Sequence, residues 1–304
     1  VLLLRTLRQW LRESNRIEWK GVTESFSEAN IDKAVRHLTD APFPGLMPAN
    51  ADFTDRLLLG TTLTQTVAGD TKSFPLRYVD WNDPKANAFH VVPEFAVARS
   101  GQDKYCFIDL VLFANGIRRA TRLFGFAQLA LALAADEAKY GTSGTARRYW
   151  AIWRERNTET SGLAEAVKKP APQEAIRTIR SITDFSVIAD QLDGLMREER
   201  LPTKQDETLF GLCRPERLLR LASRYTLFDG GVKKIARYQQ YFCVERLLSR
   251  IQTRNEDGSR KGGVVWHTQG SGKSLTMVMF ARGLAEELPG QGSPRFKVIL
   301  VTDR

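Results

Sequence analysis

The stretch GGVVWHTQGSGKSLTMVMFARGL at residues 262–284 sets an apolar run, a glycine-rich loop and an amphipathic segment in direct succession. The apolar run predicts a short buried strand, and residues 274–288 predict a helix. A second apolar run, FKVILVT at residues 296–302, predicts another buried strand. Strand, loop, helix, strand is a parallel βαβ unit. A loop feeding a helix N-terminus gathers backbone N–H groups at its positive end, which suits phosphate. Gly270 and Gly272 allow the backbone to close on the phosphates where a Cβ would intrude. In this pattern Lys273 reaches the β- and γ-phosphates and the Ser274 hydroxyl ligates Mg²⁺. Thr268, Gln269 and Ser271 complete the loop, so Thr268 to Ser274 are the candidate nucleotide-binding residues and ATP with Mg²⁺ the expected cofactors. His267 stands where the phosphate-loop consensus begins with glycine, and reads as a packing or loop residue.

Upstream of the loop, residues 206–252 look helical. RPERLLRLASRY forms one segment, TLFDGG holds a turn, and residues 232–252 carry Ile235, Tyr238, Phe242 and Leu247 as a further helix. Residues 157–205 are more polar, broken by KKPAP, and read as a mostly helical connector. Residues 52–117 shift toward strands: LTQTV, FPLRYVDW, AFHVVPEFAV and YCFIDLVLF are β-branched and aromatic runs parted by turn residues, with Asn115-Gly116 a tight turn closing the last. Residues 123–139 return to helix, and YWAIWRE at 149–155 suggests a short strand. Residues 1–50 read as helices: Leu3, Leu4, Leu7 and Leu11 share one face, and residues 27–40 show helical spacing before Pro42, Pro44 and Pro48 forbid continuation. No internal repeat is expected.

The chain has 304 residues, enough for about two domains. Its 42% hydrophobic and 26% charged residues are those of a globular protein rather than a disordered tail. The longest nearly apolar stretch, residues 123–135, falls short of the ~20 residues that span a bilayer. No membrane association is expected, and the first residues lack the order of a secretory signal. Because the chain begins at Val1 rather than Met, it reads as a fragment. Cys106, Cys213 and Cys243 lie far apart with no CxxC spacing, which argues against a zinc site or disulfide framework and fits a reducing cytosol; the expected location is cytoplasmic. A net charge of +10 favours a polyanionic partner once a motif points the same way.

The flanks of the loop make the reading specific. LFDGGVKKIARYQQYFCVERLLSRI, then GGVVWHTQGSGKSLTMVMFARGL, then FKVILVTDR resemble the R (motor and endonuclease) subunit of type I restriction-modification enzymes, a superfamily 2 translocase. By that resemblance Gln240 is the glutamine whose amide reads adenine, donor and acceptor together. Asp303 and Arg304 then lie at a strand end that touches the nucleic-acid backbone. RYVDWNDPKANAFHVVPEFAV and FIDLVLFANGI are similar to strands of the family's restriction nuclease domain, and EAKYGTSGTARRYWAIWRE resembles the segment that joins it to the motor. The implied fold class is α/β: an incomplete PD-(D/E)xK-like nuclease domain, then the start of a RecA-like superfamily 2 motor. The implied boundaries are 1–156 for the nuclease-like domain, with an internal deletion after 117, 157–205 for the connector and 206–304 for the motor. Asp109 matches the catalytic, metal-binding aspartate. The implied partners are double-stranded DNA and the methyltransferase and specificity subunits of a type I complex.

Departures from the family pattern limit what this stretch does alone. After Ile117 the sequence runs RRATRLFGFAQLALALAADEAKYGT, a segment found well downstream of the E-x-K strand in the family, and no E-x-K strand intervenes. Two carboxylates hold the divalent ion in such sites and the lysine stabilises phosphorane charge. Glu137-Ala138-Lys139 has the E-x-K spacing, but a helix over 123–139 sets those side chains on different faces. The Walker B acidic pair, arginine finger and second motor lobe are also absent from these residues, so negligible ATP hydrolysis is expected. Two other readings remain open at this stage: a non-catalytic remnant that binds DNA or ATP, and another superfamily 2 helicase with no nuclease history.

Overall fold

The computed structural model describes residues 4–40, 43–98, 105–117, 127–155, 162–169, 174, 177, 201–287, 298, 299 and 301, with backbone alone over 93–98 and 105–109. The elements are helices and two-stranded hairpins. In order they are α1 (Leu4–Ser14), β1 (Arg16–Trp19), β2 (Val22–Ser25), α2 (Glu28–Thr39), α3 (Leu46–Leu59), β3 (Thr61–Val67), β4 (Asp70–Leu76), β5 (Phe89–Ala98) and β6 (Tyr105–Ala114). There follow β7 (Ala130–Leu133), β8 (Ala138–Gly141), α4 (Leu163–Lys168), α5 (Lys204–Leu212), α6 (Pro215–Ser223), β9 (Thr226–Asp229), β10 (Val232–Ile235), α7 (Tyr238–Gln252) and α8 (Lys273–Glu287). The chain divides into two compact units, residues 1–130, 141–150 and 215–304 in one, and residues 131–140 and 151–214 in the other.

Local chemistry explains the elements of the first unit. Helix α2 starts where the Ser27 side chain accepts from the Asn30 N–H, and Leu7 and Leu11 of α1 pack with its Ile31, Ala34 and Leu38 in one core. Leu219 of α6 joins that same core, so the segment leading to the phosphate loop is rooted in the N-terminal region. Helix α3 tolerates Pro48 because it sits in the first turn, where no N–H is needed. Its end at Gly60 requires glycine: φ is +70°, and a Cβ there would lie 2.2 Å from the Leu76 carbonyl oxygen.

The described residues contain five two-stranded sheets, each antiparallel where pairing is resolved. The expected parallel βαβ unit is not formed among them. Residues 263–266 make no strand, and Val264 and Trp266 are 94% and 91% exposed; Val298, Ile299 and Val301 are likewise exposed and outside any described strand. Parallel strands are stable inside a sheet covered on both faces, and among the described residues neither neighbour strands nor a covering layer flanks these runs.

Three other expectations are corrected. Residues 130–141 form the β7–β8 hairpin rather than a helix, while residues 123–126 lie outside the described set. Residues 232–235 are strand β10, with helix beginning at Tyr238. Residues 149–155 make an isolated bridge from Ala151 to Tyr140 instead of a strand.

The expected absence of a repeat also gives way. The arrangement α1–β1–β2–α2 recurs as α6–β9–β10–α7, each hairpin closing through a two-residue turn, Lys20-Gly21 or Gly230-Gly231. In each copy the third residue of the second helix is an amide side chain only 4% exposed, Asn30 or Gln240. Asn30 Nδ2 donates to the Thr64 carbonyl of β3 at 3.0 Å, and the second copy offers the equivalent place to the phosphate loop.

In the second unit Tyr140 and Trp153 meet edge to face at 5.7 Å, and Gly211 of α5 lies against the Trp153 ring. Glu155, almost fully buried, pairs with Arg214 at 3.1 Å. Thr203 and Asp206 form a reciprocal cap at the start of α5.

Candidate nucleotide site and nuclease-like strands

The phosphate loop leads directly into α8, whose first residue is Lys273. The first-turn N–H groups of a helix have no partner within it, so they are available to an anion. Gly270 and Gly272 both have positive φ, +75° and +86°. Lys273, Ser274, Thr268 and Gln269 are exposed around this turn. His267 Nδ1 meets Ser271 Oγ at 3.0 Å, while that hydroxyl donates to the Thr268 carbonyl at 2.7 Å, so His267 braces the loop from within.

Gln240 sits at the third position of α7, and both ends of its amide are engaged. Its Oε1 accepts from the Arg237 N–H at 2.9 Å, which caps the helix, and its Nε2 donates to the Gly272 carbonyl at 3.2 Å. A Cβ at residue 272 would lie 2.5 Å from that Nε2, so the loop approaches Gln240 as closely as only glycine permits. Sequence reasoning gave Gln240 an adenine-facing role; the structure adds that it ties α7 to the phosphate loop.

A charged cluster holds α6, α7 and α8 together, and sequence patterning did not single it out. Glu245 accepts from the Tyr225 hydroxyl at 2.6 Å and from Arg220 at 2.7 Å. Arg224, with a side chain 7% exposed, donates from Nε to Glu286 at 2.9 Å and approaches Glu245 at 3.4 Å. Burial, then the Glu245 charge, raises the Tyr225 hydroxyl far above its ordinary value, so it remains a donor. Arg217 lies over the Tyr241 ring at 5.2 Å.

Lys233 of β10 is the other group that sequence reasoning passed over. It is 1% exposed, and its ammonium donates to Asn50 Oδ1 at 2.6 Å, Gln128 Oε1 at 2.7 Å and the Ala127 carbonyl at 3.3 Å. Burial lowers it from 10.5 to about 7, with no ionised neighbour contributing.

Asp109 lies on β6, and of its side chain nothing is described. The β5–β6 ladder pairs Pro93 with Leu110 and Phe95 with Ile108, which brackets its register. The turn after β6 is anchored by Asn115, fully buried: its Oδ1 accepts from the Ala88 N–H at 2.7 Å and its Nδ2 donates to the Tyr78 carbonyl at 3.0 Å. Glu137 and Lys139 form an ion pair with each other at the start of β8. Asp303 and Arg304 fall outside the described residues. Among the described residues no group of three or more acidic, histidine or cysteine side chains is arranged to hold a metal ion, and no helix is long and apolar enough to cross a membrane.

Comparison with known proteins agrees with this arrangement at both ends of the chain. Residues 239–304 match the SWI2/SNF2 ATPase family, and residues 5–149 match the family described as the type I restriction enzyme R protein N terminus. The type I restriction enzyme HindI endonuclease subunit of Haemophilus influenzae is 26% identical over the whole of this chain, which corresponds to 28% of that protein. A provisionally named type I endonuclease subunit of Methanocaldococcus jannaschii, MjaIXP, is 22% identical over 86% of this chain and 26% of its own length. A second from that organism, MjaVIIP, is 45% identical over 16% of the chain and 5% of its length. The chain thus spans little more than a quarter of the longer-matched relatives, and it joins a stretch similar to the N terminus of type I restriction enzyme R proteins to one similar to SWI2/SNF2 ATPases.

Proposed function

We propose that this chain is the N-terminal part of a motor and endonuclease subunit that binds Mg·ATP, translocates DNA and cleaves unmodified DNA, in the cytoplasm, with methyltransferase and specificity subunits as partners. The division at 1–156, 157–205 and 206–304 into a PD-(D/E)xK-like region, a connector and a motor start belongs to the same reading. The observation that carries it is the phosphate loop at the head of α8 with Gln240 bonded to Gly272. Lys273 would neutralise the β/γ-phosphates, the first-turn N–H groups would cradle them, and the Ser274 hydroxyl would ligate Mg²⁺. Gln240 would meet adenine with the remaining N–H and lone pair of its amide, the others staying on Gly272 and Arg237. Asp109 would supply one metal-binding carboxylate to the nuclease half; with no E-x-K strand after Ile117, this chain on its own would bind DNA without cutting it.

Titration calorimetry with Mg·ATP tests the reading. Lys273→Ala in a chain of unchanged circular dichroism should abolish binding, and unchanged affinity would overturn the assignment. Gln240→Ala should weaken ATP more than inorganic triphosphate, and should weaken triphosphate as well because the loop loses its tie to α7.

A further inference from the structure

We propose that Lys233 is a positioning residue for the nucleotide site: its ammonium, held by Asn50, Gln128 and the Ala127 carbonyl, fastens the β9–β10 hairpin so that Arg237 and Gln240 meet the phosphate loop in register. This rests on the Mg·ATP reading above. The chain path makes the link short. β10 ends at Ile235, Ala236 donates its N–H to the Tyr225 carbonyl at 2.9 Å, and Arg237 then caps α7, whose third residue is Gln240. Lys233 is therefore fixed within a few residues of the amide that holds Gly272.

The hairpin is gripped from outside itself at this point. Asn50 comes from α3 and Gln128 from the segment before β7, and Thr142 donates its hydroxyl to the Lys233 carbonyl at 3.0 Å. Without this grip a two-stranded hairpin of four-residue strands is marginal. An ammonium has three donors and meets three oxygens, so its geometry is satisfied only while it keeps its proton. Among the described residues nothing ionised offsets the charge. From α3 the neighbours are Asn50 and Thr54, with Asp52 and Arg56 of that helix paired to each other; from the 127–128 segment, Gln128; from the hairpin, the Phe228 ring at 5.6 Å, with Asp229 and Lys234 paired together at the exposed tip side. Deprotonation would leave two donors for three oxygens but lift the larger cost of burying the charge, so the grip tightens as the proton leaves.

The test uses the 304-residue chain and its Lys233→Met, Gln128→Glu and Lys273→Ala variants, titrated with Mg·ATP across pH. Lys233→Met should weaken binding at least roughly fivefold, the low end of ordinary coupling between sites. Wild-type affinity, taken relative to Lys233→Met, should rise as pH climbs above about 7, because the released lysine holds its proton where the buried one has lost it. A carboxylate at position 128 faces the ammonium, so Gln128→Glu should move that inflection to higher pH, which a merely structural role would not do. Hydrogen exchange should quicken over residues 232–240 in Lys233→Met and stay slow in α2. If Lys233→Met does not fold, Asn50→Ala and Gln128→Ala should each give a partial loss in the same direction. Affinity insensitive to Lys273→Ala would sink the Mg·ATP reading; a loss in Lys273→Ala with wild-type affinity and pH profile in the Lys233, Asn50 and Gln128 variants would overturn the positioning role alone.

Discussion

Lysine 233 gives the chain a stability signature whose sign is fixed by burial. In the unfolded chain the group holds its proton up to about 10.5, and in the fold only up to about 7. Between those values the unfolded state binds more protons than the folded state, so stability rises as pH climbs from about 7 toward 10.5 and is lowest below 7, where the charge stays buried. One pH unit inside this window is worth about 1.4 kcal/mol at full difference in protonation. Over the two units above the folded value the gain is roughly 2–3 kcal/mol, against a total domain stability of about 5–15 kcal/mol. Lys233→Met removes both the proton and the burial cost but leaves Asn50 Oδ1, Gln128 Oε1 and the Ala127 carbonyl short of a donor. Urea denaturation of both proteins at a series of pH values, read as wild type minus variant, cancels all other titrating groups. The difference should slope upward through this window. Parallel curves would mean that Lys233 titrates as an exposed lysine, and the buried ammonium with its three oxygens would be refuted.

Gly272→Ala should abolish Mg·ATP binding in a chain that still folds, because φ of +86° disfavours a Cβ and the new carbon would displace Gln240 Nε2; calorimetry beside circular dichroism reads it. Asn115→Ala should destabilise by about 3 kcal/mol in thermal or urea unfolding, since it strips partners from a fully buried turn whose residue 115 has φ of 54°. Duplex DNA should bind weakly and without sequence preference, with affinity falling steeply as salt rises, given the net charge of +10; a flat response in filter binding would mean the basic surface does not track phosphates. A plasmid-nicking assay with Mg²⁺ or Mn²⁺ should show no cutting, and nicking lost in both Asp109→Ala and Glu137→Ala would show that Glu137 completes a site.

What could be read in the sequence was whatever is decided locally. Helix α2 runs where its serine cap, apolar spacing and the downstream prolines put it, because each signal acts within a turn or two. Strands β3 to β6 were legible through β-branched and aromatic runs of seven to ten residues. The four-residue hairpins at 16–25 and 226–235 were not, since such short strands carry too little alternation to stand out from the helices on either side. The β7–β8 hairpin was misread because leucine and alanine favour helix, and pairing overrode the propensity. The glycine-rich turn before α8 was legible because Gly270 and Gly272, both at positive φ, stand at fixed spacing ahead of the helix start at Lys273. Lys233 was not: in GGVKKI two lysines look alike, and only the contacts of α3 and the 127–128 segment bury the first and leave the second at the surface.

The same distinction settles what Glu137 and Lys139 are. A helix over 123–139 would have separated them by geometry, and that argument no longer holds, because Lys139 lies on β8 and residues two apart on a strand share a face. The spacing therefore passes, and the question moves to pairing. In a two-carboxylate nuclease site the E-x-K strand follows the aspartate strand and returns beside it, so both carboxylates reach one ion. Here β6, which bears Asp109, pairs with β5, whereas β8 pairs with β7 and is bridged by Ala151. Lys139 is also spent on Glu137, in a pair whose side chains are 39% and 61% exposed. A lysine so neutralised has little charge to offer a phosphorane, and an exposed pair of this kind contributes at most about 1 kcal/mol to the fold. The E-A-K triplet is therefore a solvated ion pair at the edge of a hairpin, in a different two-stranded sheet from the strand that bears Asp109.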